Sequence, residues 1–238
     1  MGKVIIGSAR IDERGKLSGG SAGDQKQAAA PDYKGEVSLQ NLYIHKKGWY
    51  VLRLKDPAQA EACAIAMCNA CNNSNIGYDQ NQRTNVLKYG TRSTTKTECD
   101  CSSLVRLCVK EATGKDPGNF TTSTEAAVLE GSGLFEKRKV YKNGMELFNG
   151  DILVTKTKGH TVIVVQGKSR IQKNNDCFPI YTEKSDSIVD ALISIRVDAS
   201  LANRKKIAAV NGMPDYSGKA KENLFLLALL KNGYLKKP

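Results

Sequence analysis

Aromatic residues make up only 6% of the chain, with a single tryptophan, and two histidines occur in 238 residues. So few rings leave little for unpaired bases to stack on, and no groove-reading motif occurs, so no nucleic-acid partner is expected. Long apolar runs are missing as well. The longest, Leu224 to Leu230, falls far short of the roughly 20 residues that span a bilayer, so no membrane insertion is expected. The start of the chain offers only Val4-Ile5-Ile6 before Gly7, too little for a signal peptide, and lacks the Ser or Thr of a myristoylation site. Acidic side chains are outnumbered, 24 against 36 basic, and the resulting +12 biases encounters toward polyanions. Cysteine is not scarce, but its count of seven is odd. Complete intrachain pairing is therefore excluded, and synthesis in a reducing compartment is expected.

What is present suffices for one core of about 150 to 200 residues and a small second module. Val4 to Ile6 predicts a short strand. After it, residues 14 to 35 read as a long loop, whose Gly19-Gly20-Ser21-Ala22-Gly23 lacks the spacing of a phosphate-binding loop. Val37 to Ile44 and Trp49 to Leu54 predict a hairpin around Lys46-Lys47-Gly48. Asp56-Pro57-Ala58-Gln59 is a helix start, with Asp as N-cap and Pro in the first helical position. Along that helix Cys63, Met67 and Cys71 recur every four residues, the spacing of a packing face. Cys68 and Cys71 have zinc-ligand spacing but fall inside the helix rather than in a knuckle, and no metal or cofactor is expected. A second helix covers Cys101 to Ala112, and Thr122 to Leu129 predicts a short third one. Asp151 to Thr155 and His160 to Gln166 read as buried strands around a tight turn, and Ser169 to Gln172 and Phe178 to Thr182 as further strands. Residues 201 to 238 hold eight basic and two acidic side chains, half of the net charge, with a leucine-rich helix from about Lys219 to Lys231. These patterns predict an α+β protein with domains 1–198 and 199–238.

The chemistry centres on Cys101 and His160. A thiol must be ionised to attack a carbonyl carbon, and the unpaired N–H groups at a helix N-terminus favour a negative sulfur and a developing oxyanion. Asp100 would cap this helix, with Ser102 and Ser103 in its first turn. His160 follows Gly159 and opens a β-branched run, whereas His45 reads as an exposed histidine ahead of two lysines. A cysteine at a helix start and a histidine at a strand start are the halves of a thiolate-imidazolium pair. The residues alone leave His160 open between a catalytic and a structural role.

Ile76-Gly77-Tyr78, Asp100-Cys101-Ser102-Ser103, Gly150-Asp151-Ile152 and Gly159-His160-Thr161-Val162 occur in an order that resembles the NlpC-type cell-wall cysteine peptidases. The resemblance covers residues 57 to 183 and is greatest to phage-encoded lysins of Gram-positive hosts. It implies a papain-like core, Cys101 as nucleophile, His160 as general base, and Tyr78 as a polar group near the nucleophile. The substrate-binding surface would be Tyr78, Asp100, Ser102, Ser103 and Gly159. Counting along the hairpin after His160 gives Gln172 as the family's third catalytic residue, with Asn174, Asn175 and Asp176 as competitors. The implied function is hydrolysis of a peptidoglycan stem-peptide amide, the γ-D-glutamyl to diamino-acid bond, by a monomer. It would be made in the host cytoplasm and released to the wall, with the basic segment 199–238 holding anionic wall polymers. A CHAP-type amidase or bridge endopeptidase is the alternative enzyme. A non-catalytic basic wall- or nucleic-acid-binding protein is the alternative of another class.

Overall fold

The computed structural model describes residues 4–25, 35–171, 176–183, 185–211, 213–214, 216–231 and 233–238. Among them the elements run β1 (Ile5–Ala9), β2 (Val37–Asn41), β3 (Trp49–Leu52), α1 (Pro57–Cys71), β4 (Ile76–Tyr78), α2 (Val86–Tyr89), β5 (Thr97–Cys99) and α3 (Cys101–Thr113). They continue as α4 (Glu125–Gly131), β6 (Lys139–Val140), β7 (Ile152–Thr155), β8 (Thr161–Gln166), α5 (Ile188–Ser194), α6 (Leu201–Val210) and α7 (Ala220–Lys231). The protein is α+β. Two compact units, 1–170 and 171–238, divide the chain earlier than the 198/199 boundary expected from composition. No described helix is long and apolar enough to cross a membrane.

In the first unit an antiparallel sheet has the order β2-β1-β8-β7-β3-β6. Successive strand residues face opposite sides, so β8 sends Ile163 and Val165 into the core shared with the helices, and Val162 and Val164 against Trp49, Ile6 and Leu153. The helix-side core holds Cys63 and Met67 of α1 with Leu104, Val105 and Cys108 of α3, all fully buried. Packing thus accounts for the cysteine face of α1, as its four-residue spacing predicts. Asp56 caps α1 as expected, accepting from the Ala58 amide at 2.7 Å.

The expected hairpin of residues 37 to 54 does not form. β2 pairs with β1 and β3 with β7 and β6, so β1, β8 and β7 lie between them. The Lys46-Lys47-Gly48 turn is real, with the Gly48 amide on the His45 carbonyl at 2.8 Å. It reverses the chain without pairing the strands it joins. Phe178 to Thr182 likewise forms no strand, and Ser169 to Ile171 none, while Gln172 lies outside the described residues.

Two glycines of the recognised motifs are steric requirements. A Cβ at Gly150, whose φ is +77°, would sit 2.0 Å from the Ala60 carbonyl oxygen, so this residue lets the approach to β7 press on α1. At Gly77 a Cβ would meet the Gly23 carbonyl at 2.2 Å. The loop before β2 therefore runs against β4, and Glu36 fixes it there, accepting from the Tyr78 amide at 2.6 Å and the Gln25 amide at 3.2 Å.

That loop buries carboxyl groups. Burial first, then neighbouring acids, push Glu36 and Glu98 each up to about 8. Unfolding would release both groups to ordinary carboxyl behaviour, so the native state holds protons that the unfolded chain loses. Their stabilising contribution is complete below pH 4.5 and is lost as pH rises to about 8. The melting temperature is therefore expected to fall between pH 6.5 and 8, above the range where His160 titrates in either state. Glu98→Gln should flatten that fall in a pH series of thermal melts; an unchanged slope would contradict this account of the loop.

In the second unit, Leu226, Leu227, Leu229 and Leu230 of α7 are buried, as are Ile207 and Ala208 of α6. Arg204 turns inward to Tyr216 and to Asn223, which also bond each other. Lys205, Lys206, Lys219 and Lys236 are exposed.

Candidate active site

Cys101 is the first residue of α3, and its helix starts where the sequence requires. Asp100 has extended backbone and accepts from the Ser103 amide at 2.7 Å, while the Ser103 hydroxyl accepts from the Asp100 amide at 2.9 Å. This reciprocal cap satisfies two otherwise unpaired donors at the helix start. The Arg83 guanidinium adds a bond to Asp100 at 2.6 Å and one to the Ser102 hydroxyl at 2.9 Å. Asp100, Ser102 and Ser103 are all buried, and their polar groups are engaged in building the turn beneath Cys101. Gly159, in contrast, is exposed.

Tyr78 reaches the same place by parallel pairing. It lies opposite Cys99 in the β4–β5 ladder, so the long spacing to Cys101 is taken up by the chain between these strands. Its phenol is buried, accepts from the Gln80 side-chain Nε2 at 3.1 Å, and is pushed upward by burial and then by Cys101. Cys99 points elsewhere, fully buried, its thiol directed at the Gly77 carbonyl.

The head of β8 arrives beside Cys101. The backbone amides of Thr161 and Ser102 point at the Cys101 sulfur. His160 immediately precedes Thr161, and its Nε2 lies 3.3 Å from the Ser8 hydroxyl of β1. Ser8 is buried and carries no sequence signal. It becomes a neighbour of His160 only because β1 pairs with β8, where Gly7 opposes Ile163. With Nε2 engaged by Ser8, Nδ1 is the ring nitrogen left for a reacting group.

Trp49 packs 6.5 Å from the His160 ring, centroid to centroid, and Tyr43 and His45 lie 5.7 and 5.3 Å from Trp49. His45 thus belongs to the surroundings of His160 rather than being an isolated surface residue. Of the expected catalytic residues, Cys101 and the His160 segment come together, whereas Gln172 lies outside the described residues, as do Asn174 and Asn175.

The electrostatics revise the expected ion pair. Burial, then the Asp100 carboxylate, push the Cys101 thiol well above its ordinary range, Glu125 adding to this only where it is itself ionised, and the Thr161 and Ser102 amides oppose it only in part. His160 is pushed down to about 4 by burial, then by His45 and Arg10. Both shifts favour the uncharged forms, because burial penalises the charge on either group and the neighbouring residues add to it. At rest the Cys101 thiol and the His160 imidazole are both uncharged. That arrangement suits proton removal during attack more than a preformed thiolate.

Comparison with known proteins gives one relationship. The family model described as an endolysin-like domain matches residues 6–171. No curated protein and no solved structure matches the chain.

Proposed function

The chain belongs to the endolysin-like domain family, and from that premise we propose that it is a phage peptidoglycan hydrolase using Cys101 as nucleophile. The observation that carries the reading is the head of α3. A buried thiol there faces the backbone amides of Ser102 and Thr161, and the residue before Thr161 is His160, whose Nε2 is held by Ser8.

In the proposed reaction Nδ1 of His160 takes the thiol proton as sulfur attacks the amide carbonyl of a stem peptide. The carbonyl oxygen becomes an oxyanion facing the amides at the helix start. Collapse of the intermediate breaks the C–N bond, and the imidazolium returns its proton to the leaving amine. Water, activated by the same ring, then releases the acid and the free thiol. Ser8 orients the ring, and Tyr78 lines the nucleophile's surroundings.

The γ-D-glutamyl to diamino-acid bond is the preferred scissile bond on the motif resemblance. Mass spectrometry of digested wall should show new amino groups on the diamino acid; new N-termini on L-Ala alone would reject that bond in favour of another. The exposed lysines of the second unit are the proposed contact with anionic wall polymers, in keeping with the net charge of +12. Lys205→Glu with Lys206→Glu should lower wall retention at low salt, and unchanged retention would remove this role.

A further inference from the structure

The segment between α3 and α4 does more than connect them. Thr122 accepts a hydrogen bond from the Gly159 amide at 3.0 Å, and Glu125 accepts one from the Thr161 hydroxyl at 2.6 Å. Gly159 and Thr161 are the residues on either side of His160. The other end of the segment is tied to the nucleophile turn, because Arg83, bound to Asp100 and Ser102, also donates to the Phe120 carbonyl at 2.7 Å and to Asn119 at 3.0 Å. An unbroken path of hydrogen bonds and short backbone runs therefore joins the turn that holds Cys101 to the strand that holds His160.

From this geometry we propose that residues 119–125 form a positioning bracket, in which Thr122 and Glu125 fix the histidine segment relative to Cys101. The proposal rests on the Cys101–His160 reading of the site. Thr122 and Glu125 touch neither substrate nor reacting atoms in it; they act through the backbone on each side of His160.

Two features of Glu125 suit this role. Its side chain is fully buried, and its second carboxyl oxygen has no hydrogen-bond partner among the described residues. Burial, with Asp100 adding to it, pushes the group up to about 8, so near neutral pH it is an uncharged acid. An ionised carboxylate here would add a third negative group beside Asp100 and the forming thiolate. The neutral acid keeps the bond to Thr161 without opposing the chemistry.

The test compares isosteric removal with conservative replacement at both anchors, with each variant first shown to be folded by thermal melting. Thr122→Val removes the acceptor for Gly159, and Glu125→Leu removes the acceptor for Thr161. Each is expected to lower kcat on a soluble muropeptide about tenfold while KM stays within about twofold, since misplacing a catalytic group costs rate more than binding. Thr122→Ser and Glu125→Gln, which keep an acceptor oxygen, should recover most of that loss. Wild-type kcat in folded Thr122→Val and Glu125→Leu, with Cys101→Ala inactive, would overturn the bracket and leave the nucleophile assignment intact. An active Cys101→Ala would instead overturn the reading on which the bracket rests. Should Glu125→Leu not fold, Thr122→Val and its serine counterpart decide the matter.

Discussion

Cys101→Ala is expected to lower the rate of wall clearing by at least about a thousandfold, and His160→Ala by a comparable factor, because a nucleophile and its base act as a unit. Combining the two should cost little more than either alone. Ser8→Ala should be far milder, about threefold to tenfold, the effect of losing one uncharged hydrogen bond that orients a ring. The pH dependence adds a second signature. A histidine held at about 4 remains an unprotonated base well below its ordinary range, so the acidic fall in rate should lie near pH 4 rather than near 6.5. An acidic limb centred at 6.5 would show that the ring is neither buried nor flanked by cations during catalysis. A Cys101→Ala protein that clears wall suspensions at the original rate would exclude thiol chemistry altogether.

Asp151→Ala is expected to have the largest effect on stability. The side chain is almost completely buried and receives two bonds from the Arg53 guanidinium, both at 2.7 Å, and one from the Phe148 amide at 2.9 Å. Arg53 also stacks over the Phe148 ring at 4.3 Å. Removing the carboxylate would leave a mostly buried guanidinium without its counter-charge, at a cost of about 3 to 5 kcal/mol. Asp151→Asn should cost less, since an amide oxygen can still accept. Denaturant unfolding would measure both. Activity per folded molecule should survive, because this carboxylate ties the start of β7 to β3 and is not placed at the nucleophile. Loss of rate at unchanged stability would mean that Asp151 serves the reaction directly.

The contrast between these two predictions shows which parts of the molecule could be read from sequence. Asp100 and Ser103 lie three residues apart, so their mutual cap, and with it the place of Cys101 at a helix start, follows from local chemistry. The β7–β8 pair was legible for the same reason, as two β-branched runs around one turn. The supposed hairpin of β2 and β3 failed because strand partners are chosen by the whole sheet: β1 offers β2 a ladder, and β7 offers one to β3. Ser8 was invisible because it meets His160 across 152 residues of chain. Glu125 carries no sequence signal of its own, and only the packing of α4 near the head of β8 buries it. The charge state of the site was illegible too. A helix N-terminus argues for a thiolate, while the burial that chiefly reverses this comes from distant segments packed over Cys101, with the adjacent Asp100 adding to it.

The central claim is that Cys101 and His160 act together on a stem-peptide amide. A crystal structure of Cys101→Ala with a bound muropeptide tests it most directly. The account predicts the scissile carbonyl carbon over the missing sulfur, about 3 to 3.5 Å from the place the sulfur takes in the wild-type protein, with its oxygen toward the amides at the start of α3. His160 Nε2 should remain on Ser8, with Nδ1 facing the vacated position. A muropeptide seated away from Cys101, or a His160 ring with Nδ1 turned from it, would contradict the account.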